Sequence, residues 1–240
     1  MCTVSWLVEP DGYQLFCNRD EKRTRPPAHG PAVRRQNGVR VISPTDAAAG
    51  GTWIGVNEWG TSLCLLNRAP GAYGQVSRGL LVADLAASGD DAQVAAALNR
   101  RDLTPYAAFT LLVLSPSRPA TAFEWDGRRL IARAGAPSPL LSSSFHPQLV
   151  SERRRSEFER CAARAGGVNA EALRTFHASH AGGPSAYSPC MHRPDAETVS
   201  LSVVEVRPRL IRFSYRAGPL CRPGMIETVE ISLAPKGLCA

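Results

Sequence analysis

CTVSWLVEPDGYQLFCNRDE, residues 2–21, is the stretch on which the reading of this chain turns. Thr3 to Val8 and Tyr13 to Cys17 are runs rich in β-branched and aromatic residues, and Asp11-Gly12 between them is a favoured pair for a tight hairpin turn. With Asp11 and Gly12 in the turn, Pro10 faces Tyr13, Val4 faces Arg19, Thr3 faces Asp20 and Cys2 faces Glu21. A slip of one residue would exchange the faces, but in any nearby register Asn18, Arg19, Asp20 and Glu21 lie beside Cys2. With Met1 removed, Cys2 carries a thiol and an α-amine on one Cα. Such an amine titrates at roughly 7.7–8.0, near enough to neutrality to act as a base toward its own thiol.

The chain has 240 residues, 44% of them hydrophobic and 20% charged, enough for one substantial core. A single domain over 1–240 is expected. No apolar run approaches the roughly eighteen residues of a membrane span. The N-terminus lacks the basic start and long apolar core of a secretory signal, so a cytoplasmic protein is expected. The net charge of +7 comes from dispersed arginines. No helix-turn-helix, zinc-finger or aromatic RNA-binding signature accompanies it, so nucleic acid is not an expected partner. A small-molecule substrate or ligand is, and the surplus of arginine suits an anionic or lipid-like one. The seven cysteines, Cys2, Cys17, Cys64, Cys161, Cys190, Cys221 and Cys239, show no C-x-x-C spacing and no zinc pattern. They read as buried free thiols, and neither metal nor cofactor is expected.

Beyond the first hairpin, residues 22–40 are rich in Pro, Gly and Arg without periodicity and read as a long surface loop. Gly50 to Asn67 contains two apolar runs around a glycine turn and reads as a second hairpin. Residues 76–87 and 91–100 carry helical spacing, with Asp90 or Asp91 as an N-cap. Ala107 to Leu114 reads as a strand, and Thr121 to Trp125 pairs with Arg129 to Arg133 across Asp126-Gly127. Pro147 to Ala165 and Ala170 to His180 read as helices separated by Gly166-Gly167. Strand patterning returns at 198–206, 210–215 and 226–233. The order of strands, helices, strands, helices and strands suits two packed antiparallel sheets with helix layers outside, an α+β sandwich.

Met1-Cys2, Asn18-Arg19-Asp20-Glu21, Gly51-Thr52-Trp53-Ile54-Gly55 with Gly60 and Asn67, and Cys190-Met191-His192-Arg193-Pro194-Asp195 before Thr198 together resemble the NRDE family, also called Transport and Golgi organisation 2. That family resembles N-terminal nucleophile (Ntn) hydrolases of the bile-salt and penicillin-V acylase branch. The resemblance implies a four-layer αββα sandwich. It implies Cys2 as nucleophile, Arg19 and Asp20 as its partners and Asn67 as an oxyanion donor, with Asn18, Glu21, Trp53, Ser143 and Arg193 around the substrate. The chain departs from the acylase pattern in three places. The acylase Asp stands one residue later than Asp20, Leu141-Ser142-Ser143-Ser144 lacks an expected Asn, and Glu197-Thr198 lacks a late Arg, although Arg193 is near.

His177-Ala178-Ser179-His180 offers an i, i+3 imidazole pair at a helix end, read as dipole-favoured histidines. Cys190-Met191-His192 groups soft ligands, but neighbouring strand residues point to opposite faces. Arg153-Arg154-Arg155 reads as a solvated helix face, and Cys239-Ala240 does not fit a prenylation box. Two functions compete: an Ntn-type cysteine amidohydrolase cleaving a small amide or acyl-amino compound, and a non-catalytic binding or carrier protein for heme, acyl-CoA or lipid.

Overall fold

The computed structural model describes residues 2–68 and 74–235. The first hairpin joins β1 (Cys2–Glu9) to β2 (Gly12–Lys22), in a register two residues away from the expected one: Cys2 faces Arg19, Thr3 faces Asn18 and Glu9 faces Gly12. Pro10 and Asp11 form the turn, Pro at the position where its fixed φ suits the bend and Gly at the end. Gly12 belongs to the strand because a side chain there would collide with the neighbouring strand. A Cβ on it would lie 1.9 Å from the Val206 carbonyl oxygen. The shift is by an even number, so the residues that share a face with Cys2 are unchanged.

The expected loop at 22–40 is largely a hairpin instead, β3 (His29–Gln36) paired with β4 (Val39–Thr45). Its turn is Asn37-Gly38, with φ of 50° and 81°, the pair that a type I′ hairpin prefers. β3 is an edge strand, and Pro31 falls where its register shifts between His29 and Ala32. Edge strands tolerate proline and charge, which is why the composition read as loop.

Gly50 to Asn67 forms the second hairpin as expected, β5 (Ile54–Asn57) and β6 (Ser62–Asn67). α1 (Arg78–Leu85) and α2 (Asp91–Arg100) follow, capped by the side chains of Ser77 and Asp90. The chain continues through β7 (Phe109–Leu114), β8 (Thr121–Trp125), β9 (Leu130–Ala134) and β10 (Leu140–Ser142). Next come α3 (Pro147–Arg164), α4 (Ala170–Ala178), β11 (Ala196–Arg207), β12 (Leu210–Ala217) and β13 (Ile226–Ser232).

These strands build two antiparallel sheets, β10-β1-β2-β11-β12-β13 and β3-β4-β5-β6-β7-β8-β9. One apolar layer lies between the sheets and contains Val4, Leu15, Ile54, Leu112 and Phe213. A second packs Leu81, Leu85, Val94 and Leu98 of α1 and α2 on the seven-stranded sheet. A third packs Phe158, Leu173 and Phe176 of α3 and α4 on Phe16 and Leu201 of the six-stranded sheet. The molecule is the expected four-layer αββα sandwich. Full burial of each large apolar side chain stabilises by about 1.5–3 kcal/mol, so these layers hold each strand to its face.

β1 and β2 are buried on both sides, and their alternation divides polar from apolar surroundings. Cys2, Val4, Trp6, Tyr13, Leu15 and Cys17 face the layer between the sheets. Thr3, Ser5, Asn18 and Asp20 alternate with them and are also buried. Where α1 meets the second hairpin, Thr52 N–H donates to the Gly79 carbonyl at 2.9 Å. A Cβ on Gly51 would lie 2.2 Å from the Gly79 carbonyl carbon, so glycine at 51 permits this approach.

Candidate active site

Cys2 is the first residue of β1, flanked by Arg19 of β2 and Ser142 of the edge strand β10. Its backbone N–H donates to Ser142 Oγ at 3.0 Å. The acylase-like reading placed Ser143 against the substrate. Ser142 is the residue that meets Cys2, while Ser143 lines the adjoining clefts and binds Phe145 through its hydroxyl. Two neighbouring clefts of about 260 and 290 Å³ share Asn67, Arg68 and Ser143 in their walls. Glu21, Arg193 and Asp195 line the second. Cys2, Cys17 and Cys64 all belong to the layer between the sheets, and Cys17 is hydrogen-bonded to both of the others. The Cys2 thiol's hydrogen bond with Cys17, followed by burial, pushes its pKa well above the ordinary thiol value.

Arg19 shares the Cys2 face but its charge is already engaged. Its guanidinium donates to Asp46 at 2.8 Å, lies 3.6 Å from Glu21, and stacks 4.4 Å from the Trp53 ring centroid. Asp46 was missed in the sequence, because it follows β4 inside the stretch between two hairpins and carries no motif. Burial alone would raise its carboxyl. Hydrogen bonds from Arg25 and the Ala48 N–H, with the charges of Arg19 and Arg25, outweigh that and hold it below the usual range. Trp53 packs its ring face against the Arg19 guanidinium, and its indole tilts against Tyr215 at 6.4 Å.

Asp20 lies on the opposite face from the thiol. It is fully buried, forms an ion pair with Arg154 at 3.2 Å, and accepts from the Thr198 hydroxyl at 2.7 Å. Arg154 also donates to Thr3 Oγ1 and to the carbonyls of Ala186 and Tyr187. The expectation of a solvated Arg153-Arg154-Arg155 face fails at its middle residue, which has no exposed surface. The signal was its spacing. Val150, Arg154, Glu157, Phe158 and Cys161 form one buried stripe on α3. Breaking such a buried pair from one side costs about 3–5 kcal/mol, which marks Asp20 as an anchor for the end of β2.

Asp20 borders the second cleft beside Glu21, whereas Asn18 lies in the wall of neither cleft. Both hydrogens of its amide donate to backbone carbonyls, those of His177 and Pro189, at 2.8 and 2.9 Å. Glu21, by contrast, follows Arg19 at the interval that keeps it on the Cys2 face, and it lines the second cleft. Asn67 ends β6 opposite Phe109 and borders both clefts. Met1 and Cys239 lie outside the described residues. Arg193 reaches the second cleft with its guanidinium held bidentately by Asp195 at 2.9 and 2.8 Å. Arg78, at the start of α1, is a further cation here. Burial lowers its pKa while the nearby Cys2 and Glu21 raise it, and it donates to the Ala108 carbonyl at 2.7 Å.

The expected histidine pair separates. α4 ends at Ala178, and His177 turns into the sheet, where its Nε2 lies 2.8 Å from Ser5 Oγ. His180 leaves the helix and joins Cys190, His192 and Cys221, whose candidate ligand atoms all lie within 4.8 Å of one another. The strand-face argument had set Cys190-Met191-His192 aside. The segment lies before β11 begins at Ala196 and is not a regular strand, so that alternation does not apply, and Cys190 Sγ and His192 Nε2 come within 3.7 Å of each other.

No helix among the described residues is long and apolar enough to cross a membrane. Residues 1–130 match the model of a family described as Transport and Golgi organisation 2. No curated protein sequence matches the chain. Among solved structures, the chain is similar to penicillin V acylase from Agrobacterium tumefaciens, with a TM-score of 0.62 and 10% identity over 96% of this chain and 86% of that one. It is similar to the C2A mutant of conjugated bile acid hydrolase from Clostridium perfringens, with a TM-score of 0.61 and 12% identity over 96% and 92%. An N-acylethanolamine-hydrolyzing acid amidase orthologue from Caenorhabditis elegans aligns at a TM-score of 0.55 and 14% identity over 83% and 91%.

Proposed function

We propose, since this chain belongs to the Transport and Golgi organisation 2 family and has the αββα fold of Ntn hydrolases, that it is an amidohydrolase using Cys2 after removal of Met1. The observation that carries this reading is the place of Cys2: first residue of a central-sheet strand, between Arg19 and Ser142, with Ser142 in the wall of the first cleft, which Asn67 also borders. The Cys2 sulfur attacks the carbonyl carbon of a small amide or acyl-amino compound, and the α-amine takes the thiol proton. The amine then gives that proton to the leaving amine as the C–N bond breaks, leaving a thioester. Water, deprotonated by the same amine, cleaves the thioester and restores the thiol. The free amine matters especially here, because the thiol environment opposes ionisation and needs a base at hand.

Asn67 supplies an amide donor to the oxyanion in this scheme. Arg19 is a positioning residue, its own charge balanced by Asp46. Glu21, on the thiol's face, takes the part of amine partner that the resemblance gave to Asp20. Arg193 and Asp195 border the substrate. Intact mass should show loss of Met1, and a chloromethyl ketone should label Cys2 selectively. A panel of acyl amides should be cleaved by the native chain and by no Cys2→Ala variant; full activity in Cys2→Ala would sink the reading. Asn67→Ala should lose about 10²–10³ in rate.

One observation favours the second reading, a binding or carrier protein for heme, acyl-CoA or a lipid. The thiol is hydrogen-bonded to Cys17 and buried, an inert setting for a nucleophile that keeps Met1. Retained Met1 together with a Soret band or lipid that co-purifies regardless of Cys2 would select it.

A further inference from the structure

We propose that His180, Cys190, His192 and Cys221 form a four-coordinate zinc site that clamps the segment after α4 to the connection between β12 and β13. The four residues come from three separate parts of the chain: the exit of α4, the run before β11, and the link from Ala217 to Ile226. His192 Nε2 lies 3.1 Å from His180 Nε2, 3.7 Å from Cys190 Sγ and 3.4 Å from Cys221 Sγ. Tetrahedral zinc with Zn–N near 2.0–2.1 Å and Zn–S near 2.3 Å requires N···N of about 3.3 Å and N···S of about 3.6 Å. The observed separations are those of a set already gathered around one point. Both imidazoles bring Nε2 to the cluster, with ring centroids 4.9 Å apart and planes inclined by 64°.

The surroundings fit a metal-bound set. His192 turns its other nitrogen, Nδ1, toward the Glu197 carboxylate at 3.8 Å, the carboxylate–imidazole–metal order common around zinc. Backbone N–H groups of Leu220 and Cys221 are directed at the Cys190 sulfur. Two thiolates and two neutral imidazoles balance Zn²⁺, and binding releases the two thiol protons to solvent. All four positions are taken by protein, so the site is structural and leaves no position for substrate. Its effect reaches the clefts through Arg193 and Asp195, which lie within three residues after His192 and line the second cleft. Asn18 holds the same segment from the other side through the Pro189 carbonyl. The inference stands apart from the hydrolase reading and survives its failure.

The test uses the full chain, prepared under reductant, stripped with a chelator and titrated with Zn²⁺ or Co²⁺ alone. One equivalent of either metal should bind, and Co²⁺ should show intense tetrahedral visible bands with a thiolate-to-cobalt charge-transfer band. Cys221 is exposed, so Cys221→Ser should fold normally by circular dichroism while losing at least ~100-fold in zinc affinity. His180→Ala should do the same. Cys161→Ala, outside the cluster, should bind as the native chain does. Three results would each overturn the proposal: no stoichiometric metal in the reduced chain, a cobalt spectrum unchanged by Cys221→Ser, or a Cys190–Cys221 disulfide in a chain that takes up no zinc when reduced.

Discussion

Cys2 and its immediate neighbours show how far single residues set chemistry. The hydrogen bond that the Cys2 thiol donates to Cys17 is the largest cause of its raised pKa, ahead of burial. Cys17→Ala should therefore increase the thiolate fraction and speed iodoacetamide modification of Cys2 near pH 8; an unchanged rate, followed by mass spectrometry, would contradict that account. His177 makes a separate case. Burial, then the charge of Arg154, pushes its pKa down to about 3, against an ordinary value of about 6.5. The fold favours the neutral ring, so its contribution is complete above about pH 6.5 and declines as pH falls toward 3. The decline has a slope of up to ~1.4 kcal/mol per pH unit. Urea midpoints measured from about pH 7 to pH 4.5 should fall less steeply in His177→Gln than in the native chain, and parallel curves would remove His177 as a cause. At the Asp20–Arg154 pair, Arg154→Met should destabilise by about 3–5 kcal/mol, because it strands a buried carboxylate. Equilibrium unfolding checks this, and a change under about 1 kcal/mol would count against the anchoring role.

At the scale of elements, close backbone approaches settle what composition leaves open. Gly12 was claimed by the neighbouring strand and not by the turn, so the hairpin closed on Pro10-Asp11 and moved every pair by two positions. The Asn37-Gly38 turn was legible as a hairpin signal, yet the proline and arginines of an edge strand hid the strands on either side of it. Gly51 is the position where α1 docks on the second hairpin. Gly51→Ala should cost about 1–3 kcal/mol through overpacking against Gly79, read as a lower urea midpoint. A neutral substitution would mean that α1 has room to shift.

For the whole molecule, the two sheets share one apolar layer, which ties residues near the start of the chain to those near the end of β13. We expect residues 1–240 to behave as one domain. Tryptophan fluorescence and near-ultraviolet circular dichroism should then report a single coincident unfolding transition, because Trp6 of β1 and Trp53, just before β5, contribute to the same layer. Two separated transitions would divide the chain. The sequence by itself determined the order and type of most elements and, through the family motif, the four-layer class, and it singled out Cys2 as the residue to test. Those depend on local periodicity, on turn chemistry and on a motif continuous in the chain. Only the tertiary structure decided which charges meet. Asp46 neutralises Arg19, Arg154 reaches Asp20 from a distant helix, and Ser142 instead of Ser143 meets Cys2. It also gathered His180, Cys190, His192 and Cys221 into one cluster. Partners this far apart in sequence are chosen by which faces the packed layers bring together, and no local pattern encodes that choice.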